Sequence, residues 1–369
     1  MLSFQPSEDQ ELIRDTVAAF AREQVRPQAR DADESGAIPA ALIQQGWELG
    51  LVQSAIPEAY GGAGDTHSAV TGALIAEELA WGDLSIALHL LAPRLIAYPV
   101  IECGTPEQQT QVLKTYAGVE FRAGTAALVE PRFDFDVTEL ATTAQRDNGS
   151  YVLNGTKCFV PLGADAEHVL VYAAEDGRAG LDAVGAFLVN KDTPGLRVVE
   201  REKNMGLKAL ATHELALENC RVPVANRLGG DAGCDVARLV NCSRVGLAAM
   251  AVGVARAAFE YARDYAKDRR AFGVAIAQKQ VIAFMLAEMA LEIDATRLLT
   301  WEAAWKLDRG EDATREAYLA KNYAANMVLK VTDNAVQVLG GHGYIRDHLV
   351  ELFLRNGRGF AAFEGLVML

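Results

Sequence analysis

Apolar residues recur at helical spacing along the first third of the chain. Residues 7–10 read Ser-Glu-Asp-Gln, a capping box in which the serine and glutamine side chains satisfy free backbone groups at a helix start. Helical character continues to about residue 118. The first predicted helix carries an apolar face made of Leu12, Ile13, Val17 and Phe20.

The pattern changes to short, strand-like segments in the middle of the chain. Residues 142–145 and 151–153 flank the turn sequence at 147–150, and the Asn-Gly pair at 154–155 supplies a second turn signal. Strand character ends near residues 222–224. A compact set of antiparallel strands is therefore predicted here.

Helical periodicity returns after about residue 232. One predicted helix ends near Leu307, and another starts near Asp312 and closes at Gly340 and Gly341. Long helices joined by short links predict an antiparallel bundle. The predicted fold class is α+β and mostly α, with an N-terminal helical domain (1–118), a middle antiparallel β domain (119–228) and a C-terminal helical bundle (229–369).

Composition and charge restrict the partners of the protein. The chain has 369 residues, half of them apolar, but no apolar run of about 18 residues, so a globular cytoplasmic protein without a membrane span is expected. A formal net charge of −14 argues against nucleic acid as a partner. The five cysteines form no Cys-x-x-Cys pair and the histidines lack ligand spacing, which predicts no structural metal.

Six segments occur in the order typical of one protein family. They are residues 56–62, 76–81, 154–157, 204–207, 265–273 and 337–344. Through them the chain resembles the acyl-CoA dehydrogenases over nearly its whole length. The resemblance implies a C-terminal four-helix bundle, a homo- or hetero-oligomer (dimer or tetramer) with FAD at a subunit boundary, an acyl-CoA substrate, and an electron-transfer flavoprotein or similar electron acceptor.

The resemblance also indicates a catalytic base. Residues 363–365 read Phe-Glu-Gly and are similar to the family motif Tyr-Glu-Gly, so Glu364 is expected to remove the α-proton of the thioester. The alternative is a solvated carboxylate near the end of the chain. A second family solution places the base immediately before an arginine that Arg244 resembles, but Ser243 occupies that position. Arg244 itself is a candidate substrate contact, with helix capping or a salt bridge as the alternative.

Two further segments resemble the part of the family site that reaches a flavin bound mainly by the neighbouring subunit. Arg269 is expected to bind pyrophosphate oxygens and Phe272 to pack beside the ring system. Gln337, Gly340 and Gly341 resemble the companion segment, in which glycines let the backbone approach the cofactor. An exposed basic helix end and plain helix capping are the alternatives.

The chain departs from the family where its own flavin should be held. The family segment Thr-Glu-Pro-x-x-Gly-Ser-Asp becomes residues 129–136, in which Val129 and Phe135 lack the two hydroxyl groups and Asp134 replaces a glycine. In the second flavin segment Pro161 offers neither a hydroxyl nor a backbone N–H. Leu366 stands in for a threonine that also helps to hold the cofactor.

Three functions therefore compete. The first is FAD-dependent α,β-dehydrogenation of an acyl-CoA thioester, supported by the order of the segments and by Glu364. The second is a flavin-poor or non-catalytic subunit of a heteromeric acyl-CoA dehydrogenase, which completes the FAD site of its partner. The third is a flavin-dependent monooxygenase on the same fold, which needs no carboxylate base.

Overall fold

The computed structural model describes residues 5–65, 67–175 and 180–369. The helical stretch is followed by a sheet and then by long helices, as the α+β class predicts. The domain borders at 118/119 and 228/229 stay a prediction.

The N-terminal part begins with a helical segment that continues past Pro27. A π-helical stretch at Ala21–Val25 joins two α-helices, and Pro27 lies in the first turn of the second, where its missing N–H breaks no intrahelical bond. The Ser7 capping box is present. The helices of this part are α1 (Glu8–Phe20), α2 (Arg26–Ser35), α3 (Ala40–Trp47), α4 (Ala69–Gly82), α5 (Leu84–Leu91), α6 (Arg94–Cys103) and α7 (Pro106–Tyr116).

The middle part is a seven-stranded sheet. Its hydrogen-bonded order is β1-β4-β2-β3-β7-β6, with β5 on the other side of β4. Most described pairings are antiparallel, as predicted, but β4 pairs in parallel with β1 and β2, so the sheet is mixed. The strands are β1 (Thr125–Ala127), β2 (Thr143–Asp147), β3 (Ser150–Pro161), β4 (His168–Glu175), β5 (Val184–Asn190), β6 (Leu196–Arg201) and β7 (Thr212–Pro223).

Of the two predicted turns in this sheet, one is present and one is not. Asn148 and Gly149 link β2 to β3 with positive φ angles of 43° and 84°, the backbone of a tight hairpin. The prediction of a turn at residues 154–155 is wrong, because Gly155 lies inside β3 at an irregularity of its pairing with β7. A Cβ atom on Gly155 would lie 2.5 Å from Thr142 Oγ1, so close packing explains this glycine.

The C-terminal part is a helical bundle packed against α4. The long helix α8 is mostly buried between α4 and the last long helix. It is long and apolar enough to cross a bilayer, but 83% of its most apolar stretch is buried inside the protein. The elements here are α8 (Val236–Asp268), β8 (Arg270–Ala271), β9 (Val274–Ala275), α9 (Gln280–Asp308), α10 (Thr314–Leu339), α11 (Gly341–Tyr344) and α12 (Val350–Gly357).

Candidate active site

Glu364 lies in a short non-helical segment that is fixed on both sides by packing. The Phe363 side chain is buried against Phe360, with ring centroids 5.5 Å apart. Gly365 has φ +65°, and a Cβ atom there would lie 2.8 Å from the Leu128 side chain, so only glycine fits. Leu128 immediately precedes the segment 129–136. The segment that carries the candidate base Glu364 therefore packs next to residues 129–136, the segment expected to bind the chain's own flavin.

Two cationic side chains hold the Glu364 carboxylate. Lys321 Nζ on α10 lies 3.1 Å from Glu364 Oε1, and Arg244 Nε on α8 lies 3.6 Å from the same oxygen. The Glu364 side chain is 15% exposed. Glu364 and Arg244 therefore lie side by side, and their ion pair corresponds to the salt bridge named as the alternative for Arg244. The roles of both residues stay predictions.

Two polar atoms of this ion-paired group are buried without a hydrogen-bond partner. Within the described part of the chain they are Glu364 Oε2 and Arg244 Nε. Buried polar groups are normally paired, so these two atoms mark a place where a ligand can supply the missing partners. The site therefore combines one unpaired acceptor with one unpaired donor.

Lys321 is the functional candidate that sequence reasoning missed. It lies in the row of buried positions that α10 turns towards the core, which places an ammonium group where an apolar side chain is expected. This charged residue among apolar positions is visible in the sequence. The pairing of Lys321 with Glu364 is not visible there, because Glu364 lies 43 positions further along the chain and the two residues meet only in the folded bundle. The apolar residues buried on the same helix near Lys321 are Ala317, Ala320, Ala324 and Val328.

The five residues expected to reach a neighbouring subunit's flavin lie on two exposed segments. Arg269 follows the C-terminus of α8, and the Phe272 side chain is 94% exposed. Gln337, Gly340 and Gly341 are exposed at the junction of α10 and α11. We call these two segments, residues 269–272 and 337–341, the outward half-site. They lie close together, because next to them the Tyr265 hydroxyl lies 2.8 Å from His342 Nδ1.

Comparisons with known proteins identify the family. The N-terminal, middle and C-terminal domain models of acyl-CoA dehydrogenases match residues 7–120, 125–220 and 232–366. The chain is 36% identical over 362 residues to an acyl-CoA dehydrogenase of Bacillus subtilis, covering 97% of this chain and 95% of the relative. The chain belongs to the acyl-CoA dehydrogenase family.

Two more acyl-CoA dehydrogenases illustrate the similarity. Cyclohex-1-ene-1-carbonyl-CoA dehydrogenase of Geobacter metallireducens is also 36% identical, with 97% of this chain and 95% of the relative covered. The solved structure of butyryl-CoA dehydrogenase from Megasphaera elsdenii superimposes with a TM-score of 0.89 at 31% identity, covering 98% of this chain and 96% of that one. The predicted fold class is confirmed.

The segment 129–136, which cradles the chain's own flavin in other acyl-CoA dehydrogenases, is occupied by internal contacts. The buried Glu130 carboxylate accepts hydrogen bonds from the backbone N–H groups of Ala141 (2.7 Å) and Thr142 (2.8 Å), and from Lys157 Nζ (2.9 Å). Burial favours the neutral acid, but the Lys157 charge and these hydrogen bonds outweigh it and hold the pKa of Glu130 below its usual range. Burial lowers the pKa of Lys157 to about 8, against the opposing effect of Glu130.

Two backbone N–H groups next to this segment are also used internally. Cys158 N–H donates to the Val129 carbonyl (2.9 Å), and Phe159 N–H donates to the Glu202 carboxylate (3.0 Å). Pro161 has no N–H. The side chains at positions 129, 135 and 161 therefore offer none of the hydroxyl groups of the family pattern. The cradle of this chain does not fit FAD in the family manner, whereas the outward half-site keeps its Arg269 guanidinium and its open glycines.

Proposed function

We propose that this acyl-CoA dehydrogenase family member catalyses α,β-dehydrogenation of an acyl-CoA thioester, with Glu364 as the base. The observation that carries the proposal is the Glu364 carboxylate, which is fixed between two cations and has one oxygen buried without a partner. A thioester carbonyl acidifies its α-hydrogens, so a fixed carboxylate is the group that this reaction requires. The same feature favours dehydrogenation over a flavin-dependent monooxygenase, which needs no base.

Each side chain of the site has a distinct role in the proton transfer. Lys321 and Arg244 hold the Glu364 carboxylate in position before the reaction, and Oε2 accepts the α-proton. Once Glu364 is protonated, the two positive charges are no longer balanced by it. They then stabilise the negative charge that develops on the thioester as its proton leaves. The unpaired Arg244 Nε is the donor that we assign to the substrate.

FAD, the cofactor of the family, would accept the second hydrogen as hydride. We propose that FAD would be held mainly by the outward half-site of a neighbouring subunit, because the cradle lacks the hydroxyl groups of the family pattern. Arg269, Gln337 and the backbone at Gly340 and Gly341 would contact phosphate and sugar groups, while Phe272 would pack beside the rings. An electron-transfer flavoprotein or a similar acceptor would then reoxidise the cofactor.

Exposed apolar side chains support an oligomer. The helix α9 packs on α8 and α10, yet it also presents large apolar residues to solvent. A continuous exposed apolar face is typical of a subunit interface. The exposed apolar residues of α9 are Val281, Phe284, Leu291, Leu298 and Trp305.

The altered cradle favours a second candidate function. In it the chain is a flavin-poor subunit of a heteromeric acyl-CoA dehydrogenase, and its outward half-site completes the FAD site of a related subunit that has an intact cradle. Val129, Phe135 and Pro161 support this candidate, because the loss of several hydrogen bonds lowers FAD affinity by a large factor. If this second candidate function is correct, no flavin is bound next to Glu364 in this chain.

Flavin content and activity separate the two candidates. The chain should be purified alone, and the ratio of FAD to protein measured after acid release, with and without incubation in excess FAD. Flavin that becomes reduced when acyl-CoA is added anaerobically supports the dehydrogenase. A protein that excess FAD does not reconstitute, but that stabilises a homologous flavin-containing subunit during co-purification, supports the heteromeric candidate.

A further inference from the structure

A pair of cysteines far apart in the sequence meets where the helical N-terminal part joins the bundle. Cys103 is the last residue of α6, and Cys234 precedes the start of α8 by two positions. Their side chains are neighbours, and both are partly accessible to solvent. The sequence gives no sign of this pair, because the whole β-sheet separates the two positions.

The backbone around the two thiols is closely packed. The segment before α8 folds back on itself, so that a Cβ atom on Gly229 would lie 2.0 Å from the Gly233 carbonyl oxygen and 3.1 Å from the Cys103 carbonyl oxygen. Gly229 has φ +75° and Gly233 has φ +75°. These glycines let the segment that carries Cys234 approach the end of α6 closely.

The two thiols have unequal chemical character. Hydrogen bonds from Cys234 and from the backbone N–H of Asp235 lower the pKa of Cys103, against the effect of burial. The hydrogen bond to Cys103, followed by burial, raises the pKa of Cys234. A thiol with a lowered pKa beside a second thiol is the arrangement found in thiol–disulfide chemistry.

An oxidant can reach the pair from solvent. Cys234 lines an open cavity of about 740 Å³ together with Arg227, Gly233 and Asp235. The three other cysteines lack this access, because they are buried. Burial raises the pKa of Cys158 to about 12, that of Cys220 to about 11 and that of Cys242 to about 12.

We propose that Cys103 and Cys234 form a reversible disulfide that links the end of α6 to the start of α8. With a peroxide as oxidant, the Cys103 thiolate attacks the O–O bond, forming a sulfenic acid and releasing hydroxide, which takes up a proton. Cys234 then attacks the Cys103 sulfur and displaces the second oxygen as water. Two thiols and one hydrogen peroxide thus give one disulfide and two water molecules, and a dithiol reductant reverses the change.

The link would act on the bundle helix that carries part of the active site. Arg244 lies about two turns into α8, whose first residue follows Cys234 by two positions. A covalent loop from Cys103 to Cys234 also encloses the whole β-sheet, and long enclosed loops restrict the unfolded chain most strongly. The oxidised protein should therefore unfold at a temperature several degrees higher than the reduced protein.

The test uses the reduced full-length chain and hydrogen peroxide. After oxidation, free thiols are alkylated under non-reducing conditions and the digest is analysed by mass spectrometry. We expect loss of two of the five thiols, a single cross-linked peptide containing Cys103 and Cys234, and recovery of both thiols with dithiothreitol. Cys103→Ala and Cys234→Ala should each abolish the cross-link, and the control Cys220→Ala should retain it.

Two outcomes would overturn the inference. One is five alkylatable thiols after oxidant treatment that oxidises a free thiol in the same buffer. The other is conversion of Cys103 to its sulfinic acid with no linked peptide. Because the decisive result comes from the unaltered chain, it does not depend on whether the variants fold.

Discussion

Lys321 Nζ lies 3.1 Å from Glu364 Oε1, so a nearly buried ammonium group contacts the carboxylate proposed as the base. Lys321→Met removes this charge. Within the described part of the chain, Arg244 is then the remaining cation that pairs with Glu364. The carboxylate then loses one of the two ion pairs that fix its position. We expect kcat/KM to fall about tenfold, because a base that is no longer held in place transfers the proton less efficiently.

The same helix offers a matched control for this substitution. Lys330 on α10 pairs with Glu292 at a distance of 2.9 Å, but its side chain is 48% exposed. Lys330→Met should leave kcat/KM unchanged. Equal activity losses in the two variants would exclude the proposed role of Lys321.

Restoring hydroxyl groups to the cradle should strengthen FAD binding. Val129→Thr and Pro161→Thr each return a donor, and each new hydrogen bond is worth about 1 kcal/mol, or roughly fivefold in Kd. Titration of flavin fluorescence measures the gain. Val189→Thr on β5 is the control, because Val189 is equally buried but lies away from the cradle. Unchanged affinity in the double variant would show that the cradle does not contact the cofactor.

His89 should make the protein sensitive to acid. It lies on α5, stacked on Phe121 with ring centroids 5.2 Å apart, and burial lowers its pKa to about 4. Because its ordinary pKa is about 6.5, stability is complete above that pH and is lost as the pH falls towards 4. Between about pH 7.5 and about pH 5 the free energy of unfolding should drop by about 2 kcal/mol from this residue.

Urea unfolding at the two pH values, with a substituted protein for comparison, checks this prediction. His89→Leu should remove most of that pH-dependent difference, while His342→Leu, at an exposed position, should keep it. The same acid-dependent loss in wild type and His89→Leu would show that other groups are responsible.

The buried ion pair beneath the cradle should be costly to break. The Lys157 side chain is fully buried and lies 2.9 Å from Glu130. Lys157→Met leaves an uncompensated carboxylate inside the protein, which we expect to cost about 3–5 kcal/mol of unfolding free energy. Arg197→Met breaks the exposed pair with Glu218 and should cost less than about 1 kcal/mol. Similar losses in the two variants, measured by urea unfolding, would contradict this.

Local features of the fold could be predicted from the sequence. The Ser7 capping box and the turn at Asn148 and Gly149 depend on residues next to one another, and both are present. The apparent turn at residues 154–155 shows the limit. Gly155 is needed because Thr142, from a neighbouring segment, lies against it, and a contact of this kind cannot be inferred from the adjacent residues.

The candidate site was predictable only in part, for the same reason. Glu364 and Arg244 could be singled out as candidates because short motifs surround them. Lys321 was missed because its role depends on how α8 and α10 pack, and the pairing of Cys103 with Cys234 depends on how α6 meets the start of α8. The loss of hydroxyl groups in the cradle could be seen in the sequence, but the internal use of its backbone donors could not.

Anaerobic reduction of the flavin by acyl-CoA tests the central claim most directly. The chain is saturated with FAD, a series of acyl-CoA thioesters is added, and the visible flavin absorbance is followed in wild type, Glu364→Gln and the exposed control Glu218→Gln. We expect bleaching in wild type and in the control, and a rate at least about 100-fold lower in Glu364→Gln, with substrate binding retained. Bleaching at the wild-type rate in Glu364→Gln, or no bleaching of the FAD-saturated wild type by any thioester, would contradict the assignment of Glu364 as the catalytic base.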